Sequence, residues 1–384
     1  MLSLTTTFLL ALFQLLPAAA FSVVPTGPPV SVWGSIDALH KCGVNDVPDI
    51  PARAFQDADG VVHMIVGSTS FHLMTGPTVF NQTRSCFPSW NSTQSPVESD
   101  YAAAQWLDSP HVFSNGTVVA LVHNEYPDNT TWQHAHNCSR GYPYCWQASV
   151  GLAISGDWGV TWKLAAPPPG HLVAAVPYKV NSSQLASGWG DPSNIFLSPA
   201  DGLYYMAVLN RNPVGLQPAG VCFARTADLT SPSSWRAHGG GGSFNVSFVS
   251  PFALQPGTEA AHVCTVAAGL PPCMPSGVVW STYLQLFVAT LDCLNNQGGL
   301  FLATSADLLT WSTPEEFYTR QDLPAEVARN VTSMTYPTFI DPQSTQAGNF
   351  MAIGQSAPLF WVSIGHSPYT DGRRVWATQM TFSK

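Results

Sequence analysis

Three aspartates share one setting: Asp49-Ile-Pro, Asp108-Ser-Pro and Asp191-Pro each precede a short apolar stretch. Carboxylates gathered in one cleft split their acidities. Mutual repulsion raises the pKa of one, which can then give up a proton near neutral pH, while its neighbour stays ionised as base or nucleophile. Glu125, in His123-Asn124-Glu125, is a fourth carboxylate. Arg53 and Arg211 offer guanidinium groups that suit hydroxyls or a carboxylate. Arg53 stands inside an apolar segment, where a buried charge needs a partner. An Asp before Pro is also an ordinary turn former, so each of the three carries a structural reading beside the chemical one. Glu125 likewise reads equally as a solvated loop charge.

The elements that must position these residues recur along the chain, so repetition is sought first. Five units begin with a proline and a short apolar strand, then a turn and a longer apolar strand. They are 49–55 with 61–66, 108–113 with 118–122, 191–196 with 203–208, 275–280 with 284–288, and 336–340 with 350–353. Between them lie hairpins. The clearest is 151–162, where Ser155-Gly-Asp157-Trp-Gly159 supplies turn chemistry and Thr161-Trp162 opens a strand. Looser echoes run from Gly220 through Asp228 to Trp235 and from Gly299 through Asp307 to Trp311. Asp157, Asp228 and Asp307 read as turn residues rather than catalytic ones.

Five such units predict an all-β, five-bladed β-propeller over residues 21–384, closed by strands from both chain ends, 30–33 and 375–382. A six-bladed ring with one blade split is the alternative count, and a β-sandwich the alternative architecture. Inner strands of successive blades line one axis, so Asp49, Asp108 and Asp191 are expected to face one pit. Second strands run antiparallel and return to the same face. They bring back His123, Glu125, Asn210, Arg211, Asp292 and Gln355.

Asp-Pro or Asp-x-Pro before the inner strand, followed by a Ser-x-Asp-Leu…Trp hairpin, resembles the five-bladed glycoside hydrolases, among them arabinanases, β-xylosidases and fructosidases. Ser155-x-Asp157-x-Gly159-x-Thr161-Trp162 is similar to the Asp-box hairpin of sialidases. The first resemblance implies a glycan or oligosaccharide substrate cleaved by inner-strand carboxylates. Such cleavage commonly takes one carboxylic acid and one base or nucleophile. Asp49 is then expected as base or nucleophile and Glu125 as general acid, with Asp108 or Asp191 tuning and positioning. Arg53, Arg211, His123, Trp132 and Trp146 would bind substrate.

Trp132, Tyr142, Tyr144 and Trp146 lie in a long loop after Glu125, and Cys138 and Cys145 are a candidate pair to pin it. His134-Ala-His136 lacks a third metal ligand, and the sequence names no cofactor; an axial calcium or other ion is left open. A sialidase reading would need three arginines, with Arg53 and Arg211 joined by Arg320, Arg329 or Arg373. A non-catalytic carbohydrate-binding propeller is the third reading.

The net charge of −9 comes without a basic run, which argues against nucleic acid as a partner. Residues 1–20 resemble a secretory signal peptide ending in Pro17-Ala-Ala-Ala20, although no Lys or Arg opens it. No later segment is long and apolar enough to span a membrane. Eight cysteines lacking paired C-x-x-C spacing suit disulfides. Asn-x-Ser/Thr sequons stand at Asn81, Asn91, Asn115, Asn129, Asn137, Asn181, Asn245 and Asn330. A secreted glycoprotein is the expectation. The cysteine pairing stays open.

Overall fold

The computed structural model describes residues 21–34, 42, 46–95, 97–126, 144, 146–181, 183–293, 299–365 and 372–384. The expected leader, Trp132, Tyr142, His134, His136, Cys138, Cys145, Asn129 and Asn137 lie outside the described residues.

Five antiparallel sheets stand in chain order, and the five-bladed propeller is the architecture they form. Blade 1 comprises Arg53–Gln56, Val62–Ile65, Ser70–Thr78 and Asn81–Asn91. Blade 2 is built on Ala104–Val112, Val118–Tyr126, Gln147–Ser155 and Lys163–Leu164. Blade 3 runs through Phe196–Leu197, Tyr204–Asn210, Gly220–Thr226, Arg236–Gly240 and Ser243–Val246. Blade 4 holds Met274–Ser281, Leu286–Asp292, Gly299–Ser305 and Glu315–Thr319. Blade 5 joins Ser333–Phe339, Ser356–Ile364 and Arg374–Ser383 to the N-terminal strands Ser22–Pro25 and Val30–Gly34, as expected from the chain ends. Among the described residues no helix is long and apolar enough to cross a membrane.

Each blade is sandwiched between two others, so both faces of its middle strands are buried. That is why Val118-Val-Ala-Leu-Val122 reads as a continuous apolar run rather than an alternating one. Five buried clusters fill the five interfaces. Phe55, Phe71 and Leu107 join blades 1 and 2; Leu152, Met206 and Trp235 join blades 2 and 3. Phe196, Phe223 and Phe287 join blades 3 and 4; Leu302, Leu359 and Trp361 join blades 4 and 5; and Trp33, Met64 and Phe360 close the ring. Each fully buried side chain of this size contributes roughly 1.5–3 kcal/mol.

The hairpin 151–162 closes blade 2 with a dense local network. Ser155 Oγ donates to Asp157 Oδ1 (2.7 Å) and accepts from Gly159 N (2.8 Å), while Asp157 Oδ1 accepts from Thr161 N (2.9 Å). Trp158 and Gly159 have φ of 59° and 81°, the left-handed region that glycine enters without penalty. Ser305, Asp307 and Trp311 repeat the arrangement in blade 4. These aspartates face their own turns.

One expected strand is placed differently. Residues 350–353 do not form the second strand of blade 5; Ala352–Ile353 pairs in parallel with Met274–Ser281, and the second strand is Ser356–Ile364. The segment 341–354 crosses the end of the axis where inner strands finish. Gly348 O accepts from Gln56 N (2.7 Å), and the Asn349 carboxamide brackets Val112 N and O (2.9 Å each). Gln355 therefore precedes its strand on the far face, away from the expected pit. The apolar run was read as a strand of its own blade, but its hydrogen bonds go to blades 1, 2 and 4.

Disulfides join Cys42 to Cys86, Cys222 to Cys264 and Cys273 to Cys293.

Arg53 occupies the axis itself. Its Nε donates to Asp108 Oδ1 of blade 2 (2.9 Å) and its Nη2 to Pro192 O before blade 3 (3.2 Å). Its Nη1 donates to Ser276 O of blade 4 (2.6 Å) and Thr338 Oγ1 of blade 5 (3.2 Å). One side chain rooted in blade 1 thus reaches the other four. At this level of the axis, the place left open for a calcium or other ion is filled by a guanidinium. Replacing Arg53 by Met strands the Asp108 carboxylate in the core, and urea unfolding should show a loss of about 3–5 kcal/mol. An Asp108→Asn change in that background should recover part of it.

His111 and His171 are buried without carboxylate hydrogen bonds. Burial pushes both pKa values down to about 4; a nearby Asp100 opposes this weakly for His171. Both are neutral when folded, while the unfolded chain takes up protons below about 6.5. Stability is therefore complete above 6.5 and falls as pH drops towards 4, by roughly 3 kcal/mol for each histidine. His111 packs edge-on to Phe113 and Tyr204, so His111→Phe should reduce the difference in unfolding free energy between pH 7 and pH 4.5.

Candidate active site at the axial rim

The inner strands share a device at their proline. The register slips between Leu107 and Pro110, between Pro275 and Gly277, and between Thr335 and Thr338. Each slip is a bulge of the kind that re-aims side chains at sheet edges and sites. Ser109, Asp191 and Tyr336, all directly before proline, have φ of 24°, 47° and 56°. A residue before proline is normally held extended, and a left-handed non-glycine residue costs about 1–3 kcal/mol. Three blades store that strain at equivalent points on the axis.

Asp49 and Asp191 sit just before their inner strands, as expected, at the end of the axis where those strands begin. Asp108 lies inside its strand, within the bulge. It is buried, and Oδ1 accepts from Arg53 Nε, Ser109 N (2.6 Å) and Ser109 Oγ (3.0 Å). Arg53 is buried too, with every guanidinium nitrogen donating to the protein. Both lie beneath the rim, and Arg53 has no donor directed at a bound molecule.

Asp49 is partly exposed. Oδ2 accepts from Trp106 Nε1 (3.2 Å), and Oδ1 accepts from Tyr336 OH (3.3 Å) and contacts Arg373 Nη1. The segment before it is anchored by a buried pair: Arg84 Nε donates to Asp46 Oδ2 (2.8 Å) and the guanidinium stacks 4.0 Å over the Trp33 ring. Cys42, Asp46 and His72 gather there within ligand reach of one another. The Cys42 sulfur is in a disulfide and the Asp46 carboxylate is engaged by Arg84, so the donors do not fit a metal.

Across the rim, His123 and Glu125 point the same way from the second strand of blade 2, two residues apart. His123 Nε2 is 3.1 Å from Glu125 Oε1, and Asp191 N donates to His123 Nδ1 (3.0 Å). That backbone donor fixes the neutral ring as the Nε2–H tautomer, donating to Glu125. Gly190 permits the approach, because a Cβ there would stand 2.6 Å from Ala148 Cβ and 2.7 Å from His123 Cε1. Burial alone would lower the His123 pKa, but Glu125, Asp191 and Asp108 together raise it. Asp191 Oδ2 accepts from Arg211 Nη2 (2.7 Å). Trp146 lies on the same face, just before Gln147–Ser155.

Tyr336, Arg373 and Asp292 complete the rim. Burial first, then the Asp49, Asp191 and Asp292 carboxylates, drive the Tyr336 pKa far up against Arg373, so its phenol stays a neutral donor. Asp292, at the end of its strand as expected, is buried and accepts from the Thr335 hydroxyl. Burial raises its pKa, opposed by that hydrogen bond and by Arg211. From the repeats Tyr336 reads only as the start of a strand, and Arg373 only as one of three unplaced arginines. Their signals were present, a tyrosine before the fifth inner proline and an arginine before the last strand, but neither spacing carries chemistry by itself. Trp106 had no such signal.

The rim therefore brings Asp49, Glu125, His123, Asp191 and Arg211 together, and separates them from Arg53 and Asp108.

No known protein-family profile matches the sequence. No curated protein matches it. Among solved structures, an exo-1,5-α-L-arabinanase from a bovine ruminal metagenomic library aligns with a TM-score of 0.48 at 9% identity, covering 87% of this chain and 94% of that one. A protein of unknown function from Dyadobacter fermentans gives 0.48 at 10% identity, covering 96% and 100%. A GH43 β-xylosidase/α-arabinofuranosidase from a compost microbial metagenome, in complex with xylotriose, gives 0.45 at 11%, covering 88% and 94%. These are likenesses of chain path, and residue roles rest on this chain's own geometry.

Proposed function

We propose that the protein is a secreted glycoside hydrolase that cleaves a glycan or oligosaccharide at the axial rim. The observation that carries this reading is the placement of Asp49, Asp191 and Glu125, all partly exposed, around one mouth with Trp106 and Tyr336 between them. Asp49 acts as base or nucleophile, held by Trp106, Tyr336 and Arg373. Glu125 is the general acid: one oxygen accepts from His123, and the other delivers the proton to the leaving group. Asp191 tunes and positions through His123 and Arg211, and Asp108 serves the axis. Arg211, Arg373 and Trp146 contact substrate in the roles first expected of Arg53 and Trp132. The disulfides support an oxidising, extracellular setting for a chain that enters through its leader.

A second reading, a carbohydrate-binding propeller without turnover, is favoured by one feature. Asp49 and Asp191 are each already engaged by an arginine. A panel of aryl glycosides and oligosaccharides, with a sialoside included, separates the two. Hydrolysis by the wild type that falls about 10²–10⁴-fold in Asp49→Asn and in Glu125→Gln at unchanged Tm supports the hydrolase. Binding without turnover, indifferent to both changes, selects the binder.

The His123 link has its own readout. A pKa raised above the ordinary 6.5 means that the ring holds its proton more tightly folded than unfolded. The contribution is present below 6.5 and lost as pH rises through the folded value. NMR titration should place the His123 midpoint above 6.5, and Glu125→Gln should lower it.

A further inference from the structure

The outer strand of a blade exposes unpaired N–H and C=O groups that can template pairing with another chain. Four blades keep each edge strand to five residues or fewer. In blade 2 the outer edge is broken into Lys163–Leu164, Leu172–Ala174 and Ser187–Gly188, each pairing with part of Gln147–Ser155. In blade 4 the outer strand Glu315–Thr319 begins with two exposed glutamates. In blade 5 the edges Ser22–Pro25 and Val30–Gly34 are short and one ends in proline. In blade 3 the short edge Ser243–Val246 carries no charge.

Blade 1 is the exception. Its outer strand Asn81–Asn91 is 11 residues long and pairs as a strand, among the described residues, only with Ser70–Thr78, and Cys86 on it is tied by a disulfide to Cys42. Its single charged residue, Arg84, is buried on Asp46. Phe87 on it is 60% exposed. Pro88 and irregular register blunt the strand in part.

Sequons stand on the edges of blades 1 and 3, while the short uncharged edges of blade 5, Ser22–Pro25 and Val30–Gly34, carry none. Asn81 and Asn91 stand at the two ends of the blade 1 edge, in Asn81-Gln-Thr83 and Asn91-Ser-Thr93, and Asn245-Val-Ser247 stands on the blade 3 edge. All three asparagines are exposed. Ser70 Oγ donates to Asn91 Oδ1 (2.8 Å), which fixes that carboxamide through its oxygen. Asn91 also lines, with Phe87, Trp90 and Trp162, the groove between blade 1 and the hairpin of blade 2. A group attached at Asn91 would stand at the edge of that groove.

We propose that Asn81, Asn91 and Asn245 carry N-linked glycans, and that these sugars keep the edges of blades 1 and 3 from pairing with a second copy. The donor is a lipid-diphosphate-linked oligosaccharide. The carboxamide nitrogen forms a bond to the anomeric carbon, the bond from that carbon to the diphosphate oxygen breaks, and one amide proton leaves with the lipid diphosphate. The proposal is independent of the glycosidase reading and rests on entry into a eukaryotic secretory pathway.

The test uses protein secreted into the medium by a eukaryotic host. Glycopeptide mass spectrometry should find all three sites occupied. Enzymatic removal of N-glycans from the folded wild type should shift its sedimentation distribution to larger species than untreated protein. The triple variant Asn81→Gln/Asn91→Gln/Asn245→Gln should behave likewise. Asn115→Gln, in the turn between Ala104–Val112 and Val118–Tyr126, should leave the distribution unchanged. Secreted protein with these three sites unmodified overturns the proposal, as does a deglycosylated wild type that sediments like the untreated protein.

Discussion

A guanidinium withdrawn from water in the axis must be repaid by protein groups, and Arg53 meets that demand by drawing in all five blades. Its natural partner, Asp108, balances its charge, while the Pro192 and Ser276 carbonyls and the Thr338 hydroxyl complete its donors. None of these contacts can form unless the ring closes with each inner strand at the right height. The interfaces supply the free energy of association between blades, since apolar burial is non-directional. The axis supplies the specification, because an imperfect ring would leave a charged pair buried and unsatisfied.

The same axis explains the strain above it. A regular inner strand would present its side chains alternately to the two neighbouring blades. The bulges at Pro110, Pro275 and Pro337 break that alternation and turn carbonyls and side chains towards the centre. Left-handed φ at Ser109 and Tyr336 is the local cost, and Asp191, before Pro192 in blade 3, adopts the same conformation without a bulge. It is tolerated because the surrounding hydrogen bonds over-determine the geometry: Ser109 Oγ donates to Ser193 O (2.6 Å), and Thr290 Oγ1 to Pro337 O (2.6 Å). The strain buys aim.

Above the axis the charges are arranged in facing pairs rather than in isolation. Arg373 and Arg211 balance the charges of Asp49 and Asp191, and His123 hydrogen-bonds Glu125. Tyr336 stands among them as a donor that burial keeps neutral. The polyhydroxylated ligand proposed for this rim would exchange hydrogen bonds with paired charges without forcing a bare charge into a dry site.

The sequence by itself determined the architecture. Five proline-led apolar pairs and the turn chemistry of Ser155-x-Asp157-x-Gly159 are local signals that pointed to a five-bladed propeller, while six blades stayed open and 350–353 was assigned to the wrong blade. It also signalled that the Arg53 charge needs a partner, and grouped Asp49, Asp191, His123, Glu125 and Arg211 at one end of the ring together with Asp108 and Gln355, which the structure places elsewhere. Only the tertiary structure decided depth around the axis. A bulge shifts a residue by less than a blade's thickness, so Asp108 and Asp191, equivalent in spacing, part company: one neutralises Arg53 below, the other reaches the rim. The same holds for Tyr336, Arg373 and Trp106, which meet Asp49 across sequence separations of 287, 324 and 57. Ring closure brings them together, and no periodicity along the chain encodes a contact made across it.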